Sequence, residues 1–539
     1  MRVPLPSPAP TDRLGWFGNI ADMVVLSVLL AVALRWPVSL FPAALSHDPN
    51  TALHAVAAAD LATWADPFVL TSLDWPGGVP VRLIGWPMLL VAAPLQAALD
   101  PIAALNVGLT LLLAAQGVGV GLVGLAEGWP RARRLGTVAA AMLAPLAALH
   151  LGNGQPENVV FLPLLLAGWG AARGRWGWCA LGLLLAAAST PYAGLVAGLL
   201  ALAGGLNRGR RGLATAAVVG LACALPVGAY FGSQAAGAPG ADLTRTRPAD
   251  AAFAAPATLA GLVTPDPGLD AGLGPPGWAT PDRRWPQTPP ATGSYLGLGL
   301  LLLGGAGLWR GRREPLVRAV AGAGLVSFVL ALGARLTLAP GSATALPLPW
   351  AALQVAPGLR EMGATARFLM GVELALAVGV GRLVAARGGA AAAAALVLLV
   401  DALGASPGHW PVAASSPRSG PLVAALPPGP TLLWPGTPLL STHQHAVLRL
   451  ALDRPVASFN GPPPADTTLP PGARPPAPTR NLRGETPATW ARRVSRAGAR
   501  GLLEVTPLPP DHRQPLVDGP GVEVGELTVY RLPAGDRAD

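Results

Sequence analysis
Five small arginine clusters separated by long apolar runs limit what this chain can fold into. They are Arg131/Arg133/Arg134, Arg173/Arg175, Arg208/Arg210/Arg211, Arg310/Arg312/Arg313 and Arg382/Arg387. A helix of about 20 apolar residues crosses the roughly 30 Å hydrocarbon core of a bilayer. Basic residues collect on the cytoplasmic side of such helices. If all five clusters face that side, each interval between them holds an even number of crossings. The rest of the composition agrees. Only 12% of the 539 residues are charged, 52% are hydrophobic and the mean hydropathy is +0.46. Soluble domains carry about 25% charged residues.

The net charge of +10 invites a nucleic-acid partner. Its distribution argues against one, because the arginines sit in short groups between apolar runs, as topology demands. All 38 basic residues are arginine, and with 67 Gly and 60 Pro this suits a high-GC bacterial genome. Cys179 and Cys223 both fall inside apolar runs, so neither a disulfide framework nor a CxxC metal site is implied. The first apolar run, from about Ile20, has no small-residue cleavage site before "RWPVSLFP" and reads as an uncleaved span.

The intervals predict about eleven spans, with the N-terminus inside and the C-terminus outside. Two runs flank "HLGNGQPEN" between Arg134 and Arg173. The run from Arg175 to Arg208 is interrupted by "STPYAG", where Pro191 and Gly194 supply a break, so two short helices are expected. Two spans flank a polar loop at 235–292, and two more flank a loop at 339–364. The first outer loop covers 42–102. Within it, 84–99 is apolar but short and contains Pro87 and Pro94, which predicts a re-entrant or interface-lying helix. Residues 1–404 thus read as an all-α polytopic membrane domain. From 405 to 539, "TLLWPG", "PVASFNG", "GLLEVTPL" and "VEVGELTVYRL" read as short strands and "TPATWARRVSRAG" as a helix capped by Thr486. That pattern predicts a small α/β domain outside the cytoplasm.

Within the spans the main ionisable residues are Glu373 and Asp401, each a candidate site by its position in an apolar run. The outer loops hold more. "LSHDPNTALHAVAAAD" supplies His47, Asp48, Asn50, His54 and Asp60, followed by Asp66, Asp74 and Arg82. The next outer turn has His150, Asn153, Gln155, Glu157 and Asn158; another has Thr190 and Tyr192; the late loop has Arg360, Glu361 and Arg367. In this topology all of them converge on one face. Each also has a plainer reading. Asp48-Pro49, Asp66-Pro67 and Asp100-Pro101 are helix-start signatures, with Asp as cap and Pro in the first turn. His47, Asn50 and His54 share a helix face at i, i+3, i+7 but equally suit a polar surface. Asp74 in "LDWPGG" suits a turn. Glu157 suits a solvated turn, and Arg360 and Arg367 suit headgroup anchors.

An acid just after the first span, a tryptophan-containing segment and then "DWPGGVPV" resemble the first loop of bacterial GT-C-fold membrane glycosyltransferases. "LNVGLTLLLAAQGVGVGLVGLAEGWPRARRLG" resembles their second span, and "LHLGNGQPENVVFLPLLL" is similar to their "GH-x-E/Q" turn. "STPYAGLVAGLL" and "PGLREMGATARFLMGVELALAVGVGRL" resemble a later turn and an arginine-bearing entry to a late span. The match covers most of residues 15–404, an architecture shared with YfhO-like membrane proteins. Here His150 stands two residues before Gly152 rather than beside it, and no tandem acid pair occurs in the first loop. The resemblance implies an inverting transfer of a sugar from a polyprenyl-phosphate donor to a lipid, glycan or protein acceptor, at the periplasmic face of the bacterial inner membrane. It assigns the base to Asp48. It assigns substrate and phosphate binding to Arg360, Arg367, Arg82, Glu157, His150 and Tyr192. The leaving phosphate would be held by arginine or by a divalent metal. A non-enzymatic flippase, transporter or assembly scaffold for lipid-linked glycans would bind the same headgroups.

Overall fold
A computed structural model describes residues 13–36, 39–40, 45–46, 49–63, 69–70, 79–80, 85–152, 155–236, 256–263, 294–338, 343–355, 359, 362, 364–386 and 390–405. In the C-terminal part it describes 414–415, 424–426, 431–434, 449–450, 456–458, 501–504, 518–524 and 527–531.

The chain is mostly helical, and its helices fall on the apolar runs. α1 (Arg13–Leu34) is followed in the first loop by β1 (Leu45–Ser46), α2 (Pro49–Thr63) and a hairpin of β2 (Val69–Leu70) and β3 (Val79–Pro80). The proline-bearing segment at 84–99 is helical as α3 (Trp86–Leu95). It lies tightly on α4 (Pro101–Ala126): a Cβ on Gly108 would sit 3.1 Å from the Ala92 Cα. The Asp-Pro signature at the head of α4 behaves as its chemistry requires. The Asp100 carboxylate accepts the Ile102 and Ala103 N–H groups at 3.1 Å each, two donors that the helix start leaves without partners.

The run after Arg134 is not one straight helix. α5 (Arg131–Met142) and α6 (Pro145–Gly152) meet at a 45° bend, because Pro145 cannot continue the hydrogen-bond ladder. α7 (Phe161–Arg173) completes that interval. The next is split as expected into α8 (Trp176–Ser189) and α9 (Pro191–Leu206), with the Thr190 hydroxyl accepting the Tyr192 N–H at 3.2 Å. α10 (Gly209–Ala236), α11 (Leu298–Gly311) and α12 (Pro315–Ala331) follow. The late loop has more structure than its sequence suggested: a hairpin of β4 (Arg335–Thr337) and β5 (Ala343–Pro347), then α13 (Pro349–Leu353). α14 (Leu369–Ala386) and α15 (Ala390–Ala405) end the helical part.

α14 is the central helix, packed on α5, α11 and α12. Its backbone touches that of α11. A Cβ on Gly307 would run into the Gly379 carbonyl, and one on Gly379 into the Gly304 carbonyl. Small residues let helices approach this closely where no aqueous hydrophobic effect drives them together. Pro101–Ala126, Gly209–Gly228 and Thr365–Ala385 are long and apolar enough to cross a membrane, and the bent α5–α6 pair makes a fourth if it is one span. α10 is the most telling. Only 17% of its apolar window is buried by protein, and Val218, Leu221 and Leu225 are 65–70% exposed. A long apolar helix so little covered by protein has the composition of a membrane span.

The arginine clusters meet at one end of the helices. Glu314 accepts from both Arg133 and Arg382 at 2.6 Å, tying the start of α12 to α5 and α14. Arg173 forms a two-point pair with Glu127 at 2.6 Å, and Arg131 reaches Asp22 at 2.6 Å. The two acids inside apolar helices serve helix starts. Glu373 accepts the Leu146 N–H at 2.7 Å, a donor freed by the α5–α6 bend. Asp401 accepts the Leu300 N–H at 3.0 Å and the Tyr295 hydroxyl at 3.3 Å at the start of α11. Backbone N–H groups, with the Tyr295 hydroxyl for Asp401, thus account for their burial.

Beyond α15, β6 (Ala414–Ser415) pairs antiparallel with β1, Leu45 opposite Ser415, so the first loop is tied to the chain after the last helix. β7 (Thr431–Trp434), β8 (Val456–Ser458), β9 (Gly501–Glu504), β10 (Asp518–Val524) and β11 (Leu527–Arg531) form a sheet in the order β10-β11-β9-β7-β8. β7 runs parallel to β8 and β9; the other pairs are antiparallel. The helix expected near Thr486 lies outside the described residues.

Candidate functional site
At the end of the helices away from the arginine clusters, five elements bring polar side chains together. α2 contributes His54 from its second turn. α6 contributes His150 at its last turn, and the 3-10 turn Pro156–Asn158 contributes Glu157 and Asn158. α9 opens with Tyr192, and the 3-10 turn Thr365–Phe368 ahead of α14 carries Arg367.

The contacts are specific. His54 Nε2 lies 3.7 Å from Glu157 Oε2, with the two side chains 6% and 11% exposed. Arg367 donates to Gln155 Oε1 at 3.3 Å and lies over the Tyr192 ring, 5.4 Å from its centroid, a cation–π distance. The Tyr192 hydroxyl accepts the Ala364 N–H at 2.9 Å, which fixes the turn that carries Arg367. Tyr192 also meets Phe368 edge-on at 5.4 Å, and Phe368 meets Trp350 at 5.2 Å, a small aromatic wall behind the guanidinium. The 150–158 turn is closed by the Gln155 N–H donating to the His150 carbonyl at 2.8 Å. Gln116 on α4 donates to the Val159 carbonyl at 2.5 Å and anchors the far side of the turn. Gly85, at the head of α3, presses on Glu157 so closely that a Cβ there would lie 2.8 Å from the Glu157 Cβ.

Burial sets the chemistry. It pushes the Glu157 carboxyl up to about 7, against the opposing pull of Arg367 and of its own backbone N–H. A carboxyl poised there takes or gives a proton at neutral pH. His150 is 2% exposed and lies against the Gln155 side chain and Arg367, and Asn158 is 3% exposed with no partner for its side-chain amide among the described residues. Buried polar groups are ordinarily paired, so the Asn158 amide, next to Glu157 in the chain, marks a place for water or ligand. A buried cation lies beyond the end of α1: Arg35 is 1% exposed and donates to Asn106 Oδ1 at 2.5 Å.

Of the residues singled out in the sequence, His150, Glu157, Tyr192 and Arg367 are brought together, with Gln155 and His54 beside them. Asp48, Arg360 and Arg82 lie outside the described residues, as do His47, Asp66, Asp74, Asn153 and Glu361. α2 begins at Pro49, the same register relative to Asp48 that α4 has to its capping Asp100. Sequence reasoning did not find the His54–Glu157 pair, the buried Arg35 or the aromatic wall of Phe368 and Trp350. "RWP" ending the first span was the only local hint of an arginine there. Among the described residues no three His, Cys, Asp or Glu side chains come together as metal ligands.

Compared with known proteins, the chain matches no family model, and no curated protein matches it. The site is therefore read from its own residues.

Proposed function
We propose that this chain is an integral membrane glycosyltransferase of GT-C type that moves a sugar from a polyprenyl-phosphate donor to an acceptor hydroxyl. In this reading the eleven helices or helix pairs on the apolar runs are crossings. The arginine end faces the cytoplasm of a bacterial cell. The cluster around Glu157 faces the periplasm with the C-terminal sheet.

One observation carries the reading: a buried carboxyl–imidazole pair and a guanidinium share a site at the opposite helix ends from the arginine clusters. The helices joining the two ends, α7, α9 and α14, have 13, 16 and 18 residues. At 1.5 Å per residue they run about 20–27 Å, the longest of them approaching the roughly 30 Å of a hydrocarbon core.

The chemistry follows. The acceptor oxygen loses its proton to a base, attacks the anomeric carbon, and the bond to the lipid phosphate breaks with its electron pair passing to the phosphate oxygen. Arg367 is the cation that stabilises that oxygen, with Arg360 and Arg82 as further candidates. Asp48 is the first candidate base. Glu157, which the resemblance assigns to phosphate binding, would repel a phosphate when ionised. Its pairing with His54 suits it better to hold a sugar hydroxyl or relay the proton. The reaction as written draws on these side chains alone.

The rival reading, a flippase or assembly scaffold, needs a polar path through the apolar layer. Glu373 and Asp401 do not favour one, since each is engaged with a helix start. The test is mass spectrometry of glycolipids and glycans in a deletion strain complemented with wild type, Asp48→Asn, Glu157→Gln or Arg367→Ala. The transferase reading expects a species one sugar short to accumulate in the deletion strain and in the Arg367→Ala strain. A normal glycan profile in all three variants at normal protein levels would sink it.

A further inference from the structure
The arginine end contains a feature that the transfer chemistry does not use. A cleft of about 340 Å³ opens between the end of α7, the α9–α10 turn and the start of α12. Its walls are Trp169, Arg173, Asn207, Arg208, Pro315 and Leu316, together with Ala172. Asn207 donates to the Pro315 carbonyl at 2.8 Å, which holds the two sides at a fixed spacing.

The charge in this cleft is unbalanced. Arg173 is paired with Glu127, and the indole N–H of Trp169 also donates to that carboxylate at 2.7 Å. Arg175 lies over the Trp169 ring, 5.0 Å from its centroid. Arg208 has no carboxylate partner among the described residues. Its guanidinium rests against Gly174, the left-handed residue (φ 68°) that ends α7, where a Cβ would lie 2.7 Å from the Arg208 Cζ. Two guanidiniums, Arg173 and Arg208, thus line the cleft against the one carboxylate of Glu127, which leaves Arg208 to a phosphate.

The surroundings decide what carries that phosphate. Pro315 and Leu316 make part of its wall apolar, and partly exposed leucines stand on the adjoining α9 and α10. Leu206, the residue before Asn207, is 62% exposed; Leu202 is 37% and Leu213 36% exposed. Trp178 on α8 and Trp309 on α11 are 48% and 69% exposed at the same end of the helices, as interfacial tryptophans are. A free phosphate has no use for that apolar floor, whereas acyl chains do.

We propose that the cleft between α7, α9–α10 and α12 is a binding site for the phosphate headgroup of an anionic phospholipid, held by Arg208 and Arg173 with its acyl chains along α9 and α10. This inference rests on the apolar helices lying in a membrane and not on the transferase reading. Basic pockets between helices at the membrane surface hold such headgroups, at about 1 kcal/mol per arginine, or about fivefold in affinity.

The experiment titrates the full-length protein in a neutral detergent with cardiolipin, phosphatidylglycerol, phosphatidylcholine or inorganic phosphate. It follows thermal unfolding, and native mass spectrometry counts retained lipids. The two anionic lipids should raise the melting temperature and remain bound, and phosphatidylcholine and phosphate should not. Arg208→Gln should weaken the anionic-lipid effect about fivefold, with Arg208→Lys between the two. Arg211→Gln, in the first turn of α10 but outside the cleft, should leave it intact. Equal stabilisation by phosphatidylcholine, or an unchanged response in Arg208→Gln, would overturn the site. Equal loss in Arg211→Gln would replace it with diffuse surface charge. Full stabilisation by inorganic phosphate alone would make it a soluble-anion site and overturn the lipid assignment. Glycolipid profiles are not read in this experiment, so its failure leaves the proposed transfer reaction standing.

Discussion
Replacing Glu157 by glutamine tests the site without any knowledge of the substrate. Burial raises this carboxyl from 4.5 to about 7 in the folded protein. Below pH 4.5 both folded and unfolded chains hold the proton, and the group contributes no pH dependence. Between 4.5 and 7 the unfolded chain releases its proton while the folded chain keeps it, so stability falls as pH rises through that window. Above 7 both are ionised and the cost is constant. A shift of about 2.5 units at 1.36 kcal/mol per unit makes that cost roughly 3 kcal/mol, an upper value because water entry relieves it. Glutamine has nearly the same shape and does not titrate. Glu157→Gln should therefore melt with wild type near pH 4.5 and above it at pH 8. With an unfolding entropy of about 2.1 cal/mol/K per residue across the chain, roughly 3 kcal/mol is a difference of about 3 °C. Intrinsic fluorescence melting in detergent from pH 4.5 to 8.5 reads this directly. Parallel curves for the two proteins at every pH would show that Glu157 is solvated in the fold, and the argument from its burial would fail.

Three further substitutions probe what positions the site. Glu373→Ala removes the acceptor of the Leu146 N–H at the α5–α6 bend and should cost about 1–3 kcal/mol for an orphaned buried donor. Glu373→Gln keeps a carbonyl there and should retain most of the stability, so equal melting of all three proteins would refute the cap. Gly379→Ala drives a methyl group into the Gly304 carbonyl across the α11–α14 contact; a loss of about 1–3 kcal/mol is expected, and its combination with Gly307→Ala should be non-additive. Glu314→Gln leaves Arg133 and Arg382 without their shared carboxylate. The loss should be about 1–2 kcal/mol, because the pair is only partly buried, and should shrink in high salt, which melting at two ionic strengths will show.

The sequence by itself determined where the helices lie. Apolar length and arginine punctuation are local properties, and so are the Asp100-Pro101 cap, the Thr190-Pro191 break and four strand runs after residue 430, the last of which, "VEVGELTVYRL", the structure divides between β10 and β11. It also determined which residues could meet: His150, Glu157, Tyr192 and Arg367 were grouped from topology alone, because helices of fixed rise must bring alternate connections to the same side. What it did not contain was the rotation and tilt of each helix. Those are set by packing, such as the Gly379–Gly304 contact and the bend at Pro145, which depend on surfaces far apart in the chain. Only the tertiary structure therefore decided that His54 meets Glu157 from 103 residues away, by the difference of their positions. It also decided that Glu373 and Asp401 face backbone donors, and that Arg208 stands in a cleft with no carboxylate partner among the described residues.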